Sequence, residues 1–283
     1  MAKRKKDTIR QELLRERQFV AACQDFATQE LQRLTMANLT EYGINSTDKQ
    51  ESPSDEAEYS GYLDSLSPAD RRLLMAYDEH DSTAMRQALA DGANPDLRLN
   101  WQGNTLAVDA VLTGQSEAAE LLLKAGANPT EENGCLLFAL CSHGPAELLS
   151  LALQAPEATP DFSDGEDTLA EYAALSGQTD CLRVLRAAGA DVHANDGRAL
   201  CQACSENRPE VVRYLVEECG ADLEAEYDDW SPLFFAARDN ALECARILLE
   251  AGADPLHRDI CNGTPAGHAL SPAMQQLFDR YLP

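Results

Sequence analysis

Apolar residues recur through the last two thirds of the chain in short helical bursts, not in long stripes or strict alternation. Between Ser231 and Pro255, Leu233, Ala236 and Ala237 form one small apolar face. A polar break follows at Asp239-Asn240, and Leu242, Ala245, Ile247, Leu248 and Leu249 form a second face. Ser231-Pro232 suits a helix start, with serine as N-cap and proline in the first turn, where its missing N–H costs nothing. Gly252 suits the left-handed position just past a helix end. The pattern predicts two short helices, too short to bury their faces alone, so copies are expected.

Alanines equivalent to Ala236 stand at Ala76, Ala110, Ala139, Ala173, Ala203 and Ala269, at intervals of 29 to 34 residues. Sixteen residues after an anchor comes Gly92, Gly126, Gly189 or Gly252; Gly220 comes one later, and Ala155 fills the place after Ala139. Gly-Ala-Asn or Gly-Ala-Asp marks five of these ends. Thr105-Leu106, Thr168-Leu169, Ser231-Pro232-Leu233 and Thr264-Pro265 are reduced forms of a Thr-Pro-Leu-His start. This combination, over about residues 70–283, resembles the ankyrin repeat, whose period is about 33 residues. The resemblance implies an all-α solenoid of seven helix-turn-helix repeats with finger loops. Their starts fall at Ser67-Pro68, Thr105, near Gly134, Thr168, near Arg198, Ser231 and Thr264. Fingers two and four are the shortest, at 8 and 9 residues. The third, with Pro156 and Pro160 and no glycine cap, is expected to be irregular.

Upstream the pattern changes. Residues 1–39 read as a basic tail and an amphipathic helix, with apolar positions at Ile9, Leu13, Phe19, Val20, Phe26, Leu31 and Leu34 and neither Gly nor Pro from Asp7 to Leu39. Its expected role is to cover the first repeat, with dimerisation or partner binding as the sharper reading. Residues 40–68 read as an acidic flexible linker whose end, with Tyr59, Tyr62 and Leu63, could dock on the body. Residues 69–283 form the repeat domain. No run of 18 apolar residues exists, and the basic N-terminus lacks an apolar signal region. A soluble, cytoplasmic monomer without a membrane partner is expected.

Charge narrows the choice of partner. The 283 residues carry a net charge of −25. Residues 1–17 hold seven Lys/Arg against three Asp/Glu, leaving sixteen against forty-five in the rest. So acidic a body repels nucleic acid and attracts basic surfaces. The nine cysteines follow the repeat more than a framework of their own, which predicts reduced core thiols.

No H-E-x-x-H, P-loop or G-x-G-x-x-G occurs, and the five histidines are scattered, so neither catalysis, metal nor cofactor is expected. Cys201-Gln-Ala-Cys204 has redox spacing but flanks the anchor Ala203. The position before each anchor, which faces the groove in the ankyrin pattern, reads Asp109, Phe138, Tyr172, Gln202, Phe235, His268. Three positions after it stand Thr113, Ser142, Ser176, Glu206, Asp239, and the fingers add Trp101, Phe162, Tyr227 and Trp230 among Glu131, Glu132, Asp164, Glu226, Asp228 and Asp229. Aromatic anchors in an acidic rim are the composition of a protein-binding patch. Its expected core is Trp101, Asp109, Phe138, Tyr172, Tyr227, Asp228, Asp229, Trp230, Phe235 and Asp239, although burial of Phe138 and Phe235 between repeats is the plainer alternative. A non-enzymatic module gripping a basic protein in a concave groove is the favoured reading. Alternatives are an immunity or inhibitor protein neutralising a toxin or effector, and a nucleic-acid-associated regulator using Lys3 to Lys6.

Overall fold

The computed structural model describes residues 61–99, 104–259 and 262–282. The helix expected within 1–39, most of the 40–68 stretch, Trp101, Cys23 and Cys261 lie outside them. The described residues fall into two compact units, one ending at Ala194 and one running from Asn195. From Pro68 onward they form seven helix pairs. The first unit holds α1 (Pro68–Asp78) with α2 (Ser82–Ala90), α3 (Leu106–Leu112) with α4 (Ser116–Lys124), α5 (Glu131–His143) with α6 (Ala146–Ala152), and α7 (Leu169–Ser176) with α8 (Thr179–Ala187). The second holds α9 (Ala194–Ser205) with α10 (Pro209–Arg213), α11 (Pro232–Arg238) with α12 (Leu242–Ala251), and α13 (Pro265–His268) with α14 (Pro272–Phe278).

Within the first unit α3 packs on α5 and α5 on α7, while α2, α4, α6 and α8 stack in a second row. In the second unit α11 packs on α13, and α10, α12 and α14 stack likewise. The anchor alanines are all between 0 and 7% exposed, as suits small side chains in a close-packed first row. Phe234 and Phe278 are fully buried and fill the second unit.

Helix starts follow the sequence closely. Ser67, Thr105, Thr168 and Thr264 each accept a backbone N–H on the side-chain oxygen. At Thr168 the arrangement is reciprocal, since Glu171 accepts the Thr168 N–H at 2.7 Å. Ser231 departs from this. It occupies the N-cap, but its carbonyl takes the N–H groups of Phe234 and Phe235, and its buried hydroxyl makes no hydrogen bond among the described residues.

The two repeats without a Thr or Ser start share another device. Glu132-Asn133-Gly134 and Asn195-Asp196-Gly197 are each three successive left-handed residues, with φ between 53° and 78°. Each replaces a finger by a tight turn feeding straight into the helix, which is why fingers two and four are short. A side chain on Gly134 would collide with the ring of Phe162, so that glycine is required twice over. Fingers one, three and five close with antiparallel bridges at Arg98–Thr105, Ser163–Thr168 and Tyr227–Trp230. The third is an irregular run of turns, as expected, pinned at its tip where Asp164 Oδ1 accepts the N–H groups of Glu166 and Asp167 at 2.9 Å.

The late glycine of repeat five also has a structural counterpart. α10 runs into a π-helical turn, Tyr214–Glu218, in which Cys219 N–H reaches Tyr214 O at 3.1 Å. The extra residue is taken up inside the helix. At the start of the described chain, residues 61–65 are helical, and the Tyr62 hydroxyl donates to Arg98 O at 2.6 Å. This end of the stretch read as a linker thus sits on the first finger.

A carboxylate ladder links neighbouring loops. The backbone N–H groups of Asn94, Asn128, Asp191 and Asp254 donate to Asp70 Oδ1, Asp96 Oδ1, Asp161 Oδ1 and Glu224 Oε1, each at 2.7 Å. Side-chain turns set the spacing: Asn94 Oδ1 accepts the Asp96 N–H and Asp222 Oδ1 the Glu224 N–H.

Most cysteines are core residues. Cys141, Cys181, Cys201, Cys204 and Cys244 are buried free thiols, Cys219 is half-buried, and Cys135 is exposed, which corrects the expectation of a uniformly buried set. Burial pushes the Cys181 thiol up to about 11 and those of Cys201 and Cys244 up to about 12, and Cys141 and Cys204 well above the ordinary thiol range. The pair with redox spacing therefore stays protonated and lacks a nucleophilic thiolate.

Three outcomes are expected. Ala173→Phe should cost about 1–3 kcal/mol by overpacking. Gly189→Val should cost about 1–2 kcal/mol through its backbone alone, since φ is 101° and the space around it is open. Urea melts showing either variant as stable as the parent would refute the register. Asp96→Ala should destabilise by about 1 kcal/mol and Asp96→Asn by less, because the amide oxygen can still accept the Asn128 N–H. Iodoacetamide at pH 8 should label Cys135 in the native protein while sparing Cys201, Cys204 and Cys244, whose thiolates appear only as pH rises towards their elevated pKa values; peptide mass spectrometry reads this directly.

Candidate functional site

The first unit carries a groove of about 560 Å³ between its fingers and first helices. Phe138 and Tyr172 are first-helix residues of adjacent repeats, and their rings meet at 4.7 Å between centroids. Phe162, from the third finger, closes edge-on against Phe138 at 6.1 Å. Phe138 is only 8% exposed and forms the floor; Tyr172 is half-buried and presents its ring. Leu112, 47% exposed, lines the groove with Cys135, and Glu132, Asp164, Glu166 and His143 supply its polar wall. Arg98 pairs with Glu132. The lining includes three carboxylates and neither Lys nor Arg. The arrangement offers an apolar, aromatic base beneath a negative rim, and has no reactive pair poised for chemistry.

Asp109 plays a different part from the one its column suggested. Its Oδ2 accepts the Tyr77 hydroxyl at 2.5 Å, inside the first two repeats. Burial and that carboxylate together push the Tyr77 phenol above its ordinary pKa. Asp109 is thus a packing partner, not a rim charge.

The second unit has its own aromatic cluster. Trp230 stacks on Phe234 at 5.7 Å and meets Phe235 and His268 at the same distance, and Tyr227 stacks on Phe235 at 6.2 Å. Phe235 is 8% exposed, Tyr227 and Trp230 are half-buried, and Asp228 and Asp229 are exposed at the finger tip with left-handed backbones. Two guanidinium groups cover this cluster: Arg198 lies 4.9 Å over Tyr227, and Arg238 lies 5.0 Å over both Trp230 and Phe235. Asp239 holds Arg238 there through hydrogen bonds of 2.8 and 2.6 Å and accepts the Ser205 hydroxyl at 2.8 Å. Asp239 is therefore also committed within the chain.

Of the ten residues expected to form one patch, the structure brings Phe138 and Tyr172 together in the first unit and Tyr227, Asp228, Asp229, Trp230, Phe235 and Asp239 in the second. Asp109 lies elsewhere in the first unit and Trp101 outside the described residues. The plainer alternative for both phenylalanines, burial, is what the structure contains. Leu112, Cys135, Glu166 and His143 were not anticipated. Leu112 had a signal in its register, two residues past an anchor, where Arg238 stands in repeat six. No helix of the described residues is long and apolar enough to cross a membrane, and among them no cluster of His, Cys, Asp and Glu could hold a metal ion.

Comparison with known proteins agrees with this geometry. A family model described as ankyrin repeats, three copies, matches residues 195–259. The chain is 36% identical over 157 residues to the nuclear factor NF-kappa-B p105 subunit of Gallus gallus, covering 52% of this chain but 16% of that protein, so most of the relative's length has no counterpart here. Among solved structures, the human ASB11 ankyrin repeat domain superposes with a TM-score of 0.64 at 24% identity, covering 76% of this chain and 98% of that one. The ankyrin repeat domain of Bcl-3, described as a unique member of the IkappaB protein family, gives 0.58 at 24% identity, covering 74% and 97%. Register, helix pairing and these likenesses give the chain the ankyrin-repeat fold, with residues 195–259 matched by the ankyrin-repeat model itself.

Proposed function

We propose that this chain is a non-enzymatic binding module that holds a basic segment of a partner protein against the groove of its first unit. The observation that carries the reading is the groove itself, where Phe138 and Tyr172 lie under Glu132, Asp164 and Glu166 with no Lys or Arg in the lining. Such a surface favours cationic, partly apolar chains, because aromatics desolvate large areas at low entropy cost and carboxylates steer the approach. The likeness to the ankyrin domains of p105 and Bcl-3 supports a protein as the partner. The non-enzymatic reading is supported by the use of Cys141, Cys201 and Cys204 as protonated core groups. Their free thiols suit a reducing compartment, and a cytoplasmic setting fits.

The test is surface-based kinetics against a purified basic partner identified by crosslinking, at two salt concentrations. Tyr172→Ala should lose about 2 kcal/mol or more, mainly through faster dissociation. Asp164→Lys with Glu166→Lys should slow association, and raised salt should mimic it. If the groove variants bind like the parent while changes on the outer row, such as Glu120→Ala or Arg213→Ala, abolish binding, the partner sits on the other face.

A further inference from the structure

The carboxylates lining the groove of the first unit are committed within the chain. Asp164 Oδ1 takes the N–H groups of Glu166 and Asp167, Glu166 has interactions of its own, and Glu132 pairs with Arg98. The groups left open are neutral amides. Asn104 and Asn133 line the same groove and are exposed, and among the described residues neither side chain makes a hydrogen bond.

An amide side chain offers a carbonyl that accepts and an NH2 that donates, the same pair that a peptide unit presents. It therefore matches main chain better than it matches a charged side chain, which it answers with one of its two ends. An α-helix has spent its interior N–H and C=O groups on itself, whereas an extended chain keeps them for a neighbour. In an extended chain, successive side chains point to opposite faces. One can lie on an apolar floor while the backbone beside it stays within reach of the walls. That floor is present: Phe138 at 8% exposure, the ring of Tyr172, and Leu112 at 47%. Charge restricts the occupant further. The lining has neither Lys nor Arg, and the chain carries −25 overall, so an acidic segment is repelled and finds neither to pair with there.

We infer that the groove holds an extended, non-acidic segment of the partner by its main chain. The Asn104 and Asn133 amides pair with its peptide groups, and one apolar side chain of the segment lies on Leu112, Phe138 and Tyr172. This rests on the reading of the groove as a protein-binding site and specifies what the groove reads. Asp164 and Glu166 make no contact with the segment in this arrangement; their charge acts at a distance. Side chains of the segment that point away from the floor are left unread, so many sequences with one apolar position satisfy the site.

The experiment uses the full chain and a displayed library of random peptides. Leu112→Lys serves as counter-selection, since Leu112 is exposed and the change leaves the core intact. The most enriched peptide is made with a fluorescein label, together with a series in which each residue in turn carries a methyl on its backbone nitrogen. N-methylation removes one donor and leaves every side chain and charge as it was. Anisotropy reads the affinities at fixed salt. Enriched peptides should share an apolar position and be poor in Asp and Glu. At a residue whose N–H meets Asn104 or Asn133, N-methylation should weaken binding about tenfold. Asn104→Ala or Asn133→Gly should weaken the parent peptide by a similar factor and make methylation at that residue silent, because its acceptor is already gone. Glycine is the replacement at 133 because φ there is 58°. N-methylation also disrupts a helix, but a loss of that origin persists unchanged in both variants. Circular dichroism melts identify any variant that is unfolded, and the other then carries the test. If neither folds, the methylation pattern decides: losses at alternate residues mark an extended chain, and losses over consecutive residues mark a helix and overturn the inference. Methylated peptides that all bind within about twofold of the parent overturn it, as do losses unchanged in both Asn variants. Failure of the library to enrich over Leu112→Lys overturns it too, while the partner kinetics described above decide the broader reading separately.

Discussion

A main-chain N–H left without a backbone partner where a helix pair ends recurs through this structure. After each Gly-Ala the chain turns to leave the helix pair, and the amide of the next Asn or Asp faces a neighbouring loop. In four places a carboxylate from the preceding loop or helix takes it at 2.7 Å. A charged acceptor makes a stronger bond than a neutral one; three of these tie neighbouring loops and the fourth ties a loop to α1, while the alanine anchors tie the helices. The ladder also changes the meaning of the charge. Some of the acidity behind the net charge of −25 is architectural and is spent on neighbouring backbone. Glu224 is a partly enclosed example. Burial raises its carboxyl above the usual range, against the opposing pull of the Asp254 amide and of His257. A carboxyl whose folded pKa is raised favours the folded state most at low pH, and this contribution falls as pH climbs from the unfolded value through the folded one.

What could be read in the sequence was whatever depends on one residue and its immediate backbone. The alanine anchors announce themselves because only a small side chain fits. The glycine ends do so because φ near 90–106° at Gly92, Gly126, Gly189 and Gly252 suits little else. The starts with Thr or Ser at the cap were equally legible. Repeats three and five were harder, since their entry uses three left-handed residues in a row, and Glu132-Asn133-Gly134 resembles Asn195-Asp196-Gly197 only once conformation is known. Ser231 has the residue type and position of a cap, yet whether a hydroxyl or a carbonyl takes the N–H groups is a matter of rotamer and packing.

The candidate site was half legible for a related reason. Residue type identified aromatic positions and acidic fingers. Exposure did not follow, because it depends on how the fingers fold back over the helices: Phe162 covers Phe138 from the third finger, and Tyr227 and Trp230 cover Phe235 from the fifth. Asp109 and Asp239 read as rim charges until Tyr77 and Arg238 appear beside them. Leu112 carried a signal in its register alone, since an apolar residue on a short helix reads as core whether or not a neighbour covers it. Arg238 covers the second aromatic cluster from a column of the repeat that holds Leu112, Cys141 and Leu175 in the first unit.

The π turn at Tyr214–Glu218 shows how tolerant such an architecture is of error in length. In a fold with long-range strand pairing, one surplus residue shifts every later contact out of phase. Here the surplus is looped into a single wide turn. By the next anchor, Ala236, the spacing has returned to 33 residues and the following helices pack as though nothing had been added. Because contacts run only between neighbours, the insertion has stayed a local scar, and the chain can accumulate such changes repeat by repeat without a compensating change elsewhere.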